Sequence, residues 1–383
     1  MDEWSGHLAT GEPVRVRAAG GVVTAIEPAS EHDVPDVWIV PGLVDLQVNG
    51  IADLDLNRGD PSPETVAGVV RALQREGVTR FLPTVGTASE EHITAAVRAI
   101  ADACDADPDV ARAVAGIHVE GPFISGEDGP RGVHDPAAVR PADPDEVRRW
   151  QEAARGRIRM VTFAPESPGA LDLVQALVRE GIIAAIGHGA PTEEQVQAAA
   201  DAGATMSTHL GNGAAPMLRR HPNHLWAQLA DDRLWAGLIG DGFHLPASTL
   251  TTMIRAKGDK AILVSDVGSL ARMPAGRYSG RHHTDVVLEP SGRLHIAGSE
   301  LLAGSASTLR DSIANVARRG IVPLARAVEL ASRHPARLLG LDADGAGDLA
   351  VGAAADLVVL HRTDDLAVAQ TVVAGRTVHR AAS

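Results

Sequence analysis

Cysteine is almost missing from this sequence, since Cys104 is the only one among 383 residues. A single thiol excludes an intrachain disulfide framework, and it equally excludes a zinc site built from several cysteines. A chain without disulfides suits a reducing compartment. We therefore expect any metal site to be built from other ligand types.

Long apolar runs are also missing. No stretch approaches the ~20 consecutive apolar residues that a membrane helix needs. The first residues, Met1 to Ser5, have neither the basic region nor the apolar core of a secretory signal. From these two absences we expect a cytoplasmic protein without a membrane partner.

Positive charge is scarce. The formal net charge is −14, and lysine occurs only at Lys257 and Lys260. Because binding to a nucleic-acid backbone is driven by clustered Lys and Arg, this balance argues against general affinity for nucleic acids. An anionic ligand would have to be held by a local site.

What the sequence does contain is an ordinary apolar content, 45%, in a chain long enough for one large domain and a small one. Short strand-like runs alternate with helical segments, which is typical of parallel βα units. Eight such units in about 300 residues predict an α/β protein with a (β/α)₈ TIM-type barrel. The predicted strands are 38–48, 80–85, 114–120, 157–164, 182–188, 205–209, 235–240 and 261–266, and the clearest predicted helices are 63–76, 90–106, 168–180 and 192–202.

Both ends of the chain carry further strand-like runs. Residues 13–17 and 22–26 flank a Gly20-Gly21 turn, and residues 355–360 and 371–378 have the same character. Because a lone hairpin is only marginally stable, we expect the two ends to pair. The predicted organisation is a small composite β-sandwich domain from residues 1–40 and 346–383, beside a barrel from residues 41–345.

Glu120, His188 and His209 each end one of the predicted strands. A barrel gathers the carboxyl ends of its strands at one face, which is where its active site lies. Glu and His suit a cation such as zinc, and catalytic zinc uses three protein ligands and one open position to lower the pKa of bound water. The sequence therefore predicts a three-ligand metal site. Further candidates at the same face are His134, His244 and Asp266.

The first predicted barrel strand resembles that of the amidohydrolase superfamily. In that superfamily a His-x-His pair commonly follows a Pro-Gly-x-x-Asp motif, whereas here Gln47-x-Asn49 follows Pro41-Gly42 and Asp45. Neutral amides are poor ligands beside imidazole, so we expect only one of the two metal positions of the superfamily to be used. This substitution is similar to that of some N-acetylglucosamine-6-phosphate deacetylases.

The resemblance to that deacetylase family extends over nearly the whole chain. Each matching motif is weak by itself, but the motifs occur in the family's order. They cover the metal Glu, both metal His, the loop after strand 3, the strand 7 motif, the catalytic Asp and a substrate loop. The matching stretches are 117–123, 132–134, 164–166, 187–188, 208–210, 241–244, 264–266 and 302–305.

The resemblance implies roles for individual residues. Asp266 would accept a proton from metal-bound water and later donate it to the leaving amine, and His134 would polarise the amide carbonyl. A carboxylate beside a divalent cation is expected to be ionised, as a base must be. The alternative for Asp266 is a helix N-cap, but residues 267–270 do not look helical.

The resemblance also implies a substrate site. Arg220 would bind the sugar phosphate bidentately, across a dimer interface in many relatives; the alternative is a solvated Arg219-Arg220 surface pair. The loop at 211–217 lacks the family's aromatic residue and is longer, which puts the sugar specificity in question. The implied substrate-binding residues are Val133, Asn212, Gly213, Arg220, His244, Leu302, Ala303 and Gly304.

We therefore predict a homodimeric enzyme that converts N-acetylglucosamine 6-phosphate to glucosamine 6-phosphate and acetate, with metal-bound water as the nucleophile. It would use one divalent metal ion per chain, with zinc preferred and iron, cobalt and manganese as alternatives that accept the same ligands. A rival hypothesis is a deacylase of the same superfamily for another acetamido sugar or an N-acyl amino acid. A non-catalytic barrel scaffold is a third reading, against which the joint presence of the three metal ligands and Asp266 argues.

Overall fold

The apolar runs of the sequence form a parallel sheet in the computed structural model, which describes residues 2–58, 62–279 and 285–382. Within these residues the sheet has eight strands in the order β14-β13-β12-β11-β10-β9-β8-β5. A parallel bridge between Val48 and Val267 brings its two edges together, so the barrel is nearly closed. The predicted (β/α)₈ barrel is confirmed.

The strands follow in chain order. They are β1 (Asp2–Leu8), β2 (Pro13–Ala19), β3 (Val22–Pro28), β4 (Val37–Pro41), β5 (Leu43–Val48), β6 (Gly50–Ile51), β7 (Leu54–Asp55), β8 (Val78–Gly86), β9 (Ile117–Glu120), β10 (Ile158–Phe163), β11 (Ile183–Ile186), β12 (Met206–Ser207), β13 (Trp235–Ile239), β14 (Ala261–Val264), β15 (Gly276–Ser279), β16 (Asp285–Leu288), β17 (Leu294–Ile296), β18 (Leu357–His361), β19 (Val368–Val373) and β20 (Arg376–Arg380).

The helices cover the outside of the barrel, and several begin at side-chain caps. A capping box starts the helix predicted at 192–202, because the Thr192 side chain accepts from the Gln195 backbone and the Gln195 side chain accepts from the Thr192 backbone. The α-helices are α1 (Pro63–Arg75), α2 (Glu90–Ala106), α3 (Pro108–Ala113), α4 (Pro144–Ala153), α5 (Ala170–Arg179), α6 (Glu193–Ala202), α7 (His224–Ala230), α8 (Ala247–Lys257), α9 (Leu309–Arg318), α10 (Leu324–Leu330) and α11 (Arg333–Leu339). No helix in the described ranges is long and apolar enough to cross a membrane.

The barrel strands are buried on both faces, which is why they are apolar without strict alternation. Every residue of β5 and β8 is buried. One set of side chains, including Val44, Leu82 and Met206, fills the barrel interior. Ala336 and Leu339 of α11 pack against the same interior cluster and cover the amino-terminal end of the barrel.

The two ends of the chain form one mixed sheet in the order β20-β19-β18-β4-β1-β2-β3. Strand β18 pairs with β4, which joins the C-terminal strands to the N-terminal ones. The sheet curls over a core of its own that includes Trp4, Val16, Leu357 and Val372. The predicted pairing of the two ends is confirmed. Strand β1, which the sequence analysis did not predict, lies between β4 and β2.

Two further details differ from the sequence-based expectations. The single strand expected at 38–48 is wrong, because the chain breaks at Gly42 into β4 of the outer sheet and β5 of the barrel. The reason is local: the Gly42 N–H donates to Asp356 O of the outer sheet, while Leu43 N–H donates to Gly77 O next to β8. The small sheet β15-β16-β17, inserted after β14, was not expected; three of the four residues of β15 are exposed, so its apolar signal is weak.

Gly42 offers a test of this change of sheets. A Cβ added there would lie 2.6 Å from Thr79 Cγ2, so Thr79 or the backbone would have to move. Overpacking of this kind typically lowers the free energy of unfolding by about 1–3 kcal/mol. We expect Gly42→Ala to show such a loss in urea denaturation. Gly126→Ala is the matched control, because its added Cβ would meet no atom within 4 Å; equal stability of both variants would contradict the crowding.

Candidate active site

Three side chains converge at the carboxyl-terminal face of the barrel. His209 Nε2 lies 2.9 Å from Glu120 Oε1 and 3.1 Å from His188 Nε2. His188 Nε2 lies 3.3 Å from the same Glu120 oxygen. All three residues are buried. The structure therefore brings together the three residues that the sequence analysis selected as metal ligands.

The donor set fits a divalent cation. His188 Nδ1 lies 2.9 Å from Pro130 O, and since a carbonyl only accepts, Nδ1 carries the proton. In a neutral His188 the Nε2 lone pair therefore faces the cluster. Two imidazoles and one carboxylate are ligands that zinc and related cations prefer. The fixed tautomer of His188 is the arrangement that metal-bound histidines generally have.

Contacts within the cluster shift the pKa of Glu120 and the pKa of His209. Burial opposes ionisation of Glu120, but hydrogen bonds with His188 and His209 hold its pKa well below the usual range. Burial likewise disfavours a charged His209, yet its contact with Glu120 raises the pKa of the imidazole. The carboxylate is thus ionised and available to a cation.

Unusual backbone conformations mark this face. His188, His209 and Asp266 follow β11, β12 and β14, and their φ values are 50°, 27° and 50°. Residues other than glycine rarely adopt positive φ, and such strained positions cluster at functional sites. Each strand ends two residues before the functional side chain. The strands predicted to end at His188, His209 and Asp266 therefore extend slightly too far. The change of direction aims these side chains over the barrel mouth.

His134 reaches the same cluster from the loop after β9. Its Nε2 lies 3.2 Å from His188 Nε2, and the two rings meet edge to face at 4.3 Å between centroids. Ligand atoms of Glu120, His134 and His188 all lie within 4.8 Å of one another, so His134 is itself within reach of a metal. His209 is more deeply buried than His134 and contacts both Glu120 and His188.

Asp266 lies half-buried beside the cluster. Asn49 Nδ2 donates to Asp266 Oδ1 at 2.9 Å, which fixes the orientation of the carboxylate. Burial first, and then the charge of Glu120, raise the pKa of Asp266 to about 6. A carboxyl group with such a pKa can both accept and donate a proton near neutral pH. No helix begins at Asp266, so the N-cap alternative is wrong.

Gln47 and Asn49 are functional residues whose contacts the sequence analysis missed. It considered them only as absent metal ligands. In the structure Gln47 Nε2 donates to Glu120 Oε1 at 2.7 Å, and Asn49 holds Asp266. The two amides thus orient the carboxylates of Glu120 and Asp266. Gln47 and Asn49 are two residues apart, and this spacing places both side chains on the same side of an extended chain. That spacing was the signal in the sequence from which their shared role could have been predicted.

The predicted substrate residues divide into three groups. Asn212 and Gly213 lie against two histidines of the cluster: Asn212 Nδ2 donates to His209 O at 3.2 Å, and a Cβ on Gly213 would lie 2.7 Å from His188 Nδ1. His244 is paired with Asp241, at 2.7 Å between Nδ1 and Oδ2, at the end of β13.

The remaining substrate residues lie at the rim. Leu302, Ala303 and Gly304 precede Ser305, which pairs with Val267 next to Asp266. Val133 precedes His134 and is exposed. Arg220 is exposed too, and within the described residues its side chain has no hydrogen-bond or ion-pair partner. The structure brings it into no contact with the Glu120 cluster.

Comparison with known proteins identifies the class of enzyme. The model of the "Amidohydrolase family" matches residues 38–378. N-acetylgalactosamine-6-phosphate deacetylase of Escherichia coli O157:H7 is 32% identical over 90% of both chains. Human N-acetylglucosamine-6-phosphate deacetylase is 33% identical over 90% of this chain and 84% of its own length.

Solved structures agree with these relatives. N-acetyl-D-glucosamine-6-phosphate deacetylase of Mycobacterium smegmatis is 31% identical, with a TM-score of 0.87, over 99% of this chain and 100% of its own. The Thermotoga maritima N-acetylglucosamine-6-phosphate deacetylase is 26% identical, with a TM-score of 0.85, over 100% and 99% of the two chains. The chain belongs to the amidohydrolase family and, within it, to the family of N-acetylglucosamine-6-phosphate deacetylases. It is an enzyme of the amino-sugar deacetylase type.

The buried Asp45 predicts that the free energy of unfolding depends on pH. Its Oδ1 accepts from Ser265 N at 3.2 Å and from Gln47 N at 3.3 Å, joining the first and last barrel strands. Burial raises the pKa of Asp45 to about 7. An unfolded Asp has a pKa of about 3.9, so between pH 4 and pH 7 the native state holds a proton that the unfolded state has lost. The free energy of unfolding must therefore fall as pH rises through this window.

We expect Asp45→Asn to remove this contribution, because Asn keeps the acceptor oxygen and has no charge to bury. Relative to wild type, its free energy of unfolding should improve between pH 4.5 and pH 7.5 by on the order of 2–4 kcal/mol, from about 1.4 kcal/mol per pKa unit. Urea denaturation across this range measures the difference. Asp53→Asn, at an exposed carboxylate, is the control. A pH-independent difference between wild type and Asp45→Asn would contradict the assignment.

Proposed function

We propose that this enzyme hydrolyses N-acetylglucosamine 6-phosphate to glucosamine 6-phosphate and acetate. The observation that carries the proposal is the convergence of Glu120, His188 and His209 beside Asp266, whose carboxylate is oriented by the Asn49 amide. The names of the relatives support the substrate class, and one structure of the Mycobacterium smegmatis enzyme is a complex with N-acetyl-D-glucosamine-6-phosphate.

We assign one divalent metal ion to Glu120, His188 and His209, with zinc preferred and iron, cobalt and manganese as alternatives. A cation bound there supplies Lewis acidity, which activates water and polarises an amide carbonyl. A second metal position is not expected, because the amides of Gln47 and Asn49 already donate to Glu120 and Asp266 and offer no imidazole lone pairs.

The chain's own residues move the proton. Amide hydrolysis needs a base to take a proton from water and an acid to deliver one to the leaving nitrogen. Asp266 is assigned both tasks, since it lies beside the cluster and Asn49 fixes one of its oxygens. We assign to His134, whose Nε2 lies 3.2 Å from His188 Nε2, a hydrogen bond to the substrate carbonyl oxygen. Negative charge that develops on that oxygen would strengthen this hydrogen bond.

The phosphate is assigned to Arg220, with Asn212 and His244 completing the substrate site. An exposed guanidinium without a protein partner is free to bind a phosphate bidentately. Val133 and the residues Leu302, Ala303 and Gly304 would line the sugar. The enzyme is proposed to act as a homodimer, in which Arg220 could serve its own subunit or the partner's site.

A second substrate is favoured by one relative. The Escherichia coli protein that is 32% identical to this chain is named for N-acetylgalactosamine 6-phosphate. The loop of residues 211–217, which differs from the family pattern, lies against the metal histidines and is where the two sugar epimers would be distinguished. Assays of both 6-phosphate epimers at equal metal loading decide between them through the ratio of kcat/KM values.

Asp266→Asn tests the acid–base role. The variant should fold and retain about one metal equivalent per chain by elemental analysis, because Asp266 is not assigned as a ligand. Its kcat should fall by on the order of a hundredfold or more, the usual contribution of such groups. Near-normal turnover with full metal content would show that another residue moves the proton. The His188→Ala/His209→Ala double variant is the matching control for metal content. It should lose the bound metal ion.

Arg220→Ala tests whether Arg220 binds the phosphate group of the substrate. Removing one partner of a desolvated charge pair typically costs 2–5 kcal/mol, so kcat/KM for N-acetylglucosamine 6-phosphate should fall roughly thirtyfold or more. The slow reaction with unphosphorylated N-acetylglucosamine should hardly change. Arg219→Ala, at the neighbouring exposed arginine, is the control. Equal losses on both sugars would point to a role other than phosphate binding.

A further inference from the structure

A second cavity lies far from the catalytic cluster, between the barrel and the seven-stranded sheet. Its volume is about 330 Å³. The lining comes from the β2–β3 turn, from the region before β18, and from Arg80 and Arg112. Arg80 lies near the amino-terminal end of β8, whereas Glu120 is at the carboxyl-terminal end of β9. The cavity is therefore on the face of the barrel opposite the active site.

Two guanidinium groups at this cavity share one buried carboxylate. Arg80 Nη2 lies 2.8 Å from Asp356 Oδ2, and Arg112 Nη2 lies 3.4 Å from Asp356 Oδ1. That same Asp356 oxygen also accepts the Ala374 N–H at 2.7 Å. Arg80 and Asp356 are buried and Arg112 is partly exposed, and these three groups carry two positive charges against one negative charge.

The positive charge is incompletely compensated. Arg80 is only 8% exposed, and both burial and the neighbouring Arg112 lower the pKa of its guanidinium. Within the described residues Arg112 Nε is buried without an acceptor. Asp344 also lines the cavity, but it is exposed to solvent, where charge interactions are largely screened. The Arg112 side chain is 35% exposed, so a ligand in the cavity can reach its guanidinium and supply a further acceptor.

The cavity walls leave room for such a ligand. Gly20 and Gly352 line it with no side chain, and a Cβ added to either would meet no atom within 4 Å. The volume is at the lower end of the range typical of small-molecule sites. Arginine forks match the geometry of phosphate and carboxylate oxygens.

We propose that this cavity binds a small organic oxyanion, a phosphate monoester or a carboxylate, whose oxygens pair with Arg112 and Arg80. The ligand would link β8 and α3 of the barrel to the segment before β18 that carries Asp356, and so stabilise the contact between the barrel and the outer sheet. The site stands apart from the deacetylation chemistry and does not rest on it.

The test is ligand-dependent thermal stability of the metal-loaded enzyme. Ribose 5-phosphate, inorganic phosphate and succinate serve as probes at constant ionic strength, because a ligand that binds only the native state raises Tm. We expect at least one of the three probes to raise the Tm of wild type. Arg112→Ala should weaken the apparent Kd for that probe at least tenfold while leaving deacetylase kcat/KM unchanged. Arg98→Ala, at an exposed arginine on α2, should behave as wild type.

Val22→Trp gives a second, independent variant. Val22 lines the cavity and is 41% exposed, so a larger side chain can enter the space while both arginines remain. It should also abolish the ligand-dependent rise in Tm. The proposal is overturned if no probe stabilises wild type, or if wild type, Arg112→Ala and Val22→Trp respond equally. An equal rise in Tm in all three proteins would mean that the probe binds at the active-site phosphate position or at another surface.

Discussion

The interaction on which the active site depends is the close approach of three ligand atoms of Glu120, His188 and His209. Two imidazole nitrogens and a carboxylate oxygen at 2.9–3.3 Å form a concentrated set of acceptors in a buried place. Such a set is stable only with protons or a cation among its members. The surrounding structure serves this requirement: Pro130 fixes the tautomer of His188, and Gln47 donates to the carboxylate.

The barrel supplies the rigidity that this set needs. Strands buried on both faces leave little freedom to the residues that follow them, so the positive φ values of His188, His209 and Asp266 can be maintained. Asp45 adds a link across the barrel seam, because it accepts backbone N–H groups from Gln47 on β5 and from Ser265 after β14. The seam, Glu120 and Asp266 are thus held by the same short stretch of chain, residues 45–49.

The face of the barrel opposite the active site carries a different set of polar groups. Where the active-site face gathers acceptors, the cavity beneath the barrel gathers donors around Asp356, with Arg80 and Arg112 exceeding the negative charge available to them. A chain with a net charge of −14 therefore keeps a local positive site at the junction of the barrel and the outer sheet. This separation allows a ligand at one face to bind without contacting the other.

The sequence by itself determined the barrel, the pairing of the chain ends and the cluster of Glu120, His188 and His209, because periodic apolar runs and polar strand ends are local patterns. It did not determine the break at Gly42, which depends on Asp356 and Thr79 from distant segments. Nor did it reveal that Gln47 and Asn49 orient Glu120 and Asp266, residues 73 and 217 positions away. Only the tertiary structure decided these contacts, because hydrogen-bond partners are chosen by the three-dimensional approach of strands and not by their separation along the chain.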